Sequence, residues 1–149
     1  MRLVDYLHKE LVLPDLQAKT KSEALRELVT PVGEVVSGFD LDQAHRVLMD
    51  REYLGTTGIG DGVAIPHGKL DFLENIILVV GRSLDGVDFE ALDFKPCSIF
   101  FLVLAPEQVA GMHLRILAHI SRLLKDDQFR NSFADAADRD ALWRLMLET

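Results

Sequence analysis

Two short apolar runs limit the folds open to this chain. Residues 76–81 read IILVVG and residues 98–105 read SIFFLVLA, each nearly free of polar side chains and each bounded by turn-forming residues. Neither is long enough to cross a bilayer, which takes about 20 apolar residues. Both are too uniform for half-exposed strands, which would alternate apolar and polar positions. They predict strands buried on both faces, and such strands need helices to cover them.

Helical periodicity supplies the cover. Thr20 and Glu23 have the spacing of a capping box, and Leu25, Leu28, Val29 and Val32 follow with helical period until Pro31 kinks or shortens the helix. A second helix is predicted from Asp40, with Gln43 three residues on, through Leu41, Ala44, Val47 and Leu48 to a stop at Gly55. A third spans about 112–125, apolar at Leu114, Ile116, Leu117, Ile120, Leu123 and Leu124, and is expected to be largely buried. Two shorter helices follow, one carrying Phe129 and Phe133, the other Leu142, Leu145 and Met146. Interleaved helices and buried strands predict a single α/β domain over residues 1–149, its sheet flanked by helices on both sides.

Composition narrows the function. With 149 residues, 48% of them apolar, the chain can bury one normal core. Its 16 Lys and Arg against 24 Asp and Glu give a formal charge of -8, which argues against nucleic acid and favours a basic protein partner. The only cysteine, Cys97, heads an apolar run and reads as a small buried hydrophobe, so no internal disulfide is available. The N-terminal stretch MRLVDYLHKELVLPDL is broken by charges, so no membrane insertion is expected and the cytoplasm is the expected location.

The stretch GIGDGVAIPHGKL, residues 58–70, carries the chemistry. Its glycines do not fit a nucleotide motif: GxGxG follows a helix where a dinucleotide fingerprint needs GxGxxG after a strand, and Lys69 is followed by Leu70 where a P-loop needs Ser or Thr. The glycines offer backbone freedom and close approach to peptide N–H groups. Pro66 restrains the chain before His67 and Gly68 removes bulk after it, which suits an imidazole that is fixed yet reachable. A histidine with an unperturbed pKa of about 6.5 attacks phosphorus without a separate base. The competing reading is a histidine packed in a turn with one N–H satisfied by a carbonyl.

Two further residues join it. The stripe Ala44, Val47, Leu48 continues to Arg51, a cation beside the glycine segment that could clamp phosphate, or pair with a carboxylate at the helix end. His113 lies on the line of Leu117, Ile120 and Leu124 near a helix N-terminus, either an anion partner or a satisfied core histidine. His119 aligns with Arg115 and Arg122, and His45 with Asp42 and Glu52, so both are expected on solvated faces; His8 also reads as surface.

REYLGTTGIGDGVAIPHGKL resembles the signature of the enzyme IIA domains of the bacterial phosphoenolpyruvate-dependent phosphotransferase system, in the type 2 branch with its fructose, mannitol and nitrogen-regulatory members. RSLDGVDFEALDFKP and FLVLAPEQVAGMHLRILAHISRLLKDDQFR extend the resemblance over essentially the whole chain. It implies a mixed sheet flanked by helices, and a phosphoryl group accepted on Nε2 of His67 from a small histidine phosphocarrier of the HPr or NPr kind. Arg51 and His113 would flank it, and Thr57 falls in the phosphate-side loop, where a turn-forming hydroxyl serves equally well. No nucleotide, cofactor or metal is implied. Phe94 and Cys97 stand where glycine and valine would be expected, which leaves the local turn open.

Two roles fit the resemblance. The protein could pass phosphate to a IIB domain during sugar uptake, or regulate targets such as potassium-transport or signalling proteins through its phosphorylation state. GTTGIG resembles the nitrogen-regulatory type, and no IIB, IIC or phosphocarrier segment accompanies it, so the second role is expected. A metal-dependent hydrolase using His67, His113 and Asp61 is the reading from another class, with a spacing that matches no zinc pattern.

Overall fold

The computed structural model describes residues 1–149. A 3-10 turn at Leu3–Tyr6 leads into strand β1 (Leu7–Leu13), followed by α1 (Lys21–Val29), a second 3-10 turn (Thr30–Glu34) and α2 (Leu41–Tyr53). Three short strands come next: β2 (Gly58–Gly60), β3 (Val63–Ala64) and β4 (His67–Lys69). The long strands β5 (Ile77–Val87) and β6 (Cys97–Ala105) precede α3 (Ala110–Leu124), α4 (Asp127–Asp135) and α5 (Arg139–Leu147). No helix is long and apolar enough to cross a membrane.

The six strands form one mixed sheet in the order β1-β5-β6-β3-β2, with β4 also on β6. β5 and β6 are the two apolar runs, paired antiparallel and buried along most of their length, with β1 parallel to β5. Alternation along β5 assigns the covering layers. A Cβ at Gly81 would meet Leu28 of α1, whereas the next residue, Arg82, reaches the end of α4, so α1 and α4 lie on opposite faces.

β3 and β4 are two pieces of one edge. Val63 pairs with Ile99 and His67 with Val103, the same parallel register, interrupted only at Ile65–Pro66. Pro66 has no N–H to give the ladder, although its carbonyl still accepts from Val103. Gly68 is required by packing: a Cβ there would fall 2.9 Å from Val47 Cγ1, so the glycine lets α2 close on β4 rather than opening space for the imidazole.

Capping follows the chemistry of the sequence. Thr20 accepts from the Glu23 N–H and Asp40 from the Gln43 N–H, fixing the starts of α1 and α2. The Glu23 carboxylate returns to the Lys19 N–H, so the expected box closes one residue upstream. α1 ends at Val29 and Pro31 sits in the 3-10 turn that replaces its last turn.

One expectation needs correction, and two features were not anticipated. α3 is one-faced, not buried around most of its circumference: His113, Ile116, Ile120 and Leu124 face the sheet while Leu114 is 68% exposed. β1, which the charges of LHKELVL obscure, is a strand at the edge of the sheet. The glycine segment is a hairpin rather than an open loop: Asp61 (φ 58°) and Gly62 (φ 76°) supply the two left-handed residues that join β2 to β3. The turn at Phe94 forms without glycine, with φ 61° and the ring 95% exposed. Cys97 is buried, and burial pushes its thiol up to about 12.

Arg82 is a buried cation that ties the layers. Its guanidinium donates to Pro14 O at 3.0 Å and to Phe133 O at 3.1 Å, and also to Ala136 O, so the carbonyl end of α4 stands in for a carboxylate. Arg82→Ala should destabilise the protein by about 2–4 kcal/mol, because several buried carbonyls lose their donor at once. A lower denaturant midpoint with an unchanged m-value checks this.

Candidate active site

His67 begins β4, and the break at Ile65–Pro66 sets its orientation. The Ile65 N–H turns away from β6 to Thr57 O at 3.0 Å, and the Ile65 carbonyl lies 2.9 Å from His67 Nδ1. A carbonyl only accepts, so Nδ1 carries the hydrogen and Nε2 keeps its lone pair. The imidazole is half-buried and its pKa lies below the ordinary 6.5: burial lowers it most, the Ile65 bond opposes, Arg51 lowers it further and Glu52 raises it. A neutral, nucleophilic ring at neutral pH results.

His113 of α3 faces this ring, with centroids 5.8 Å apart and planes at 78°. It is 4% exposed, and its Nε2 is a buried polar atom without a hydrogen-bond partner. Such an orphan costs about 1–3 kcal/mol. Burial, then the charges of His67 and Lys69, push its pKa down to about 4.

Arg51 ends the core stripe of α2, as its spacing predicts, and it pairs with no carboxylate. One guanidinium nitrogen donates to Gly55 O at 2.9 Å, which leaves its other donors for a ligand. Arg51, Thr57 and His67 line a cavity of about 160 Å³, closed on the α3 side by Leu117 and Ser121. Ser121 is a polar lining residue that the sequence reading passed over; its signal is its place one turn beyond Leu117.

Thr57 sits in this cavity wall with its donors already committed. Its N–H reaches Glu52 Oε1 at 2.9 Å and its hydroxyl bonds Glu52 Oε2. Glu52 itself is buried, not on the solvated face that its alignment with His45 predicts, because α1 packs over that side and brings Lys21 Nζ to 3.0 Å. A lysine in the first turn of α1, where the helix dipole opposes a cation, is the signal that was available. His45 is only partly exposed and bonds Ser22 of α1, and His119 is likewise half-covered. Asp61 lies in the β2–β3 turn, and no three His, Cys, Asp or Glu side chains are grouped to hold a metal ion, so the set His67, His113 and Asp61 does not assemble.

The arrangement offers a lone pair on a fixed imidazole and a guanidinium at one small cavity, with a buried second imidazole packed against the first, which suits a tetrahedral anion. The sequence profile described as "Phosphoenolpyruvate-dependent sugar phosphotransferase system, EIIA 2" matches residues 5–149. The chain belongs to this family. It is 39% identical to a nitrogen regulatory protein of Bradyrhizobium diazoefficiens, over 98% of this chain and 95% of that one. It is 32% identical to the fructose-specific EIIABC component of Bacillus subtilis, over 95% of this chain and 22% of that larger protein. The crystal structure of the nitrogen regulatory protein IIA-Ntr from Neisseria meningitidis superposes with a TM-score of 0.88 at 27% identity, covering 95% of this chain and 97% of that one. This EIIA domain is therefore a phosphoryl carrier of the phosphotransferase system.

Three histidines, His67, His113 and His119, have lowered pKa values and make stability depend on pH. The unfolded chain binds their protons near pH 6.5, whereas folded His113 resists until about pH 4, so acidification through that window favours unfolding. Urea midpoints should fall steadily from pH 7 to pH 4.5, and less steeply in His113→Gln.

Proposed function

We propose that His67 is the phosphoryl acceptor and that this chain is a nitrogen-regulatory type IIA protein acting in the cytoplasm. The observation that carries the first part is the Ile65 carbonyl on Nδ1, which leaves Nε2 as the nucleophile. A histidine-phosphorylated carrier protein of the HPr or NPr kind docks over the cavity and presents its phosphoryl group. The bond from phosphorus to the donor nitrogen breaks as the bond to Nε2 of His67 forms. His67 becomes a phosphorylated imidazolium whose hydrogen stays on Nδ1, donated to Ile65 O, while the nearby Glu52 carboxylate favours the positive ring. Arg51 and the Nε2 side of His113 hold the transferring oxygens, the main task of a protein in this chemistry. Thr57 contributes by shaping the cavity wall, since its hydroxyl hydrogen belongs to Glu52.

Phosphorylation adds about -1.5 to -2 of charge, enough to change which protein surface binds. The resemblance to nitrogen regulatory proteins supports regulation of targets such as potassium-transport or signalling proteins. The relationship to a fructose-specific protein favours a second reading, in which His67 passes its phosphoryl group to a IIB domain.

Intact mass after incubation with phosphoenolpyruvate, enzyme I and the histidine phosphocarrier tests the proposal. One acid-labile phosphoryl group is expected on the wild type and none on His67→Ala, while Arg51→Ala is slowed roughly a hundredfold with its fold intact. A phosphorylated His67→Ala would overturn the assignment. Onward transfer to a purified IIB protein would select the transport role; phosphorylation-dependent binding without transfer would select the regulatory one.

A further inference from the structure

Glu52 is buried and spends both carboxylate oxygens. Oε1 accepts from Lys21 Nζ at 3.0 Å and from Thr57 N at 2.9 Å, and Oε2 accepts the Thr57 hydroxyl. Lys21 is equally confined: Nζ also donates to Thr56 Oγ1 at 3.2 Å and lies 4.9 Å from the centre of the Phe89 ring. A buried ion pair is a poor way to gain stability, since apolar residues of similar volume often serve as well or better. What this pair does gain is position. Thr57, held at two donors, gives its carbonyl to the Ile65 N–H at 3.0 Å, and Ile65 gives its own carbonyl to His67 Nδ1 at 2.9 Å. Four consecutive links therefore run from α1 to the ring that reacts.

We infer that Glu52 is a positioning residue for phosphoryl transfer, acting through Thr57 and Ile65 to fix the tautomer and orientation of His67, with Lys21 holding its carboxylate in place. This rests on His67 being the acceptor. Glu52 touches neither the cavity's ligand position nor His67; its effect reaches the ring only through the backbone of Thr57 and Ile65. A glutamine at this position has the right shape but no charge for Lys21, and its amide nitrogen would donate to the Thr57 hydroxyl, reversing that bond.

Three variants separate this role from a structural one: Glu52→Gln, Thr57→Val, which cuts the hydroxyl link but keeps the Lys21–Glu52 pair, and Thr57→Ser, which keeps both. Nitrogen-15 NMR of the imidazoles reads the His67 tautomer without any phosphorylation, and single-turnover transfer from the phosphorylated carrier reads the chemistry. The wild type and Thr57→Ser should hold His67 as the Nδ1–H form. Glu52→Gln and Thr57→Val should mix the tautomers and lower the limiting transfer rate roughly 10- to 100-fold, with the half-saturating carrier concentration unchanged. Tautomer and limiting rate within twofold of wild type in both variants, even with a lowered unfolding midpoint, would overturn the inference. A tautomer shift in a protein that never becomes phosphorylated would uphold the linkage while removing the function proposed for His67.

Discussion

The site depends on one interruption in a parallel ladder. Residues 63–69 run beside 99–105 in constant register, yet the Ile65 N–H and carbonyl leave the ladder and Pro66 gives it only a carbonyl. Proline cannot supply the missing donor, and the Ile65 peptide groups turn to Thr57 and to His67 instead. An uninterrupted strand would present His67 just as firmly, but it would not select a tautomer. The gap converts a sheet edge into a support for an imidazole, and the adjoining β6, buried through its length, keeps that support rigid.

The electrostatics follow from where the surrounding helices sit. α2 brings Arg51 and Glu52 to the same end of β4, one aimed at the cavity and the other held behind it by Lys21. α3 turns its buried stripe toward the sheet, so His113 meets His67 at 5.8 Å and loses its solvent. Burial favours the neutral form of both rings. The first ring lines the cavity with Nδ1 committed to Ile65, and the second holds a buried nitrogen without a hydrogen-bond partner. Charge at the cavity is supplied by the Arg51 guanidinium.

Much of this was legible in the sequence. The strands containing 76–81 and 98–105 announced themselves because a continuous apolar run has few alternatives, and the capped starts of α1 and α2 were legible from Thr20 and Asp40. His113 and Arg51 were found by helical spacing, since both continue a core stripe. The short strands β2, β3 and β4 were not legible: two or three residues carry no periodicity, and they exist only because β6 offers an edge. Gly68 answers to Val47, a residue distant in sequence, so its role was misread as access for the ring. Glu52 was assigned to solvent because periodicity within α2 knows nothing of α1 packing across it. Leu114 failed in the opposite sense, an apolar residue left on the open face of α3.

The central claim is that Nε2 of His67 is the reacting atom. Phosphorus-31 and nitrogen-15 NMR of the protein phosphorylated through its carrier would locate the new bond directly. The account predicts phosphorus coupled to Nε2 of His67, with the hydrogen retained on Nδ1. A phosphoryl group on Nδ1, or on any other residue, would contradict it.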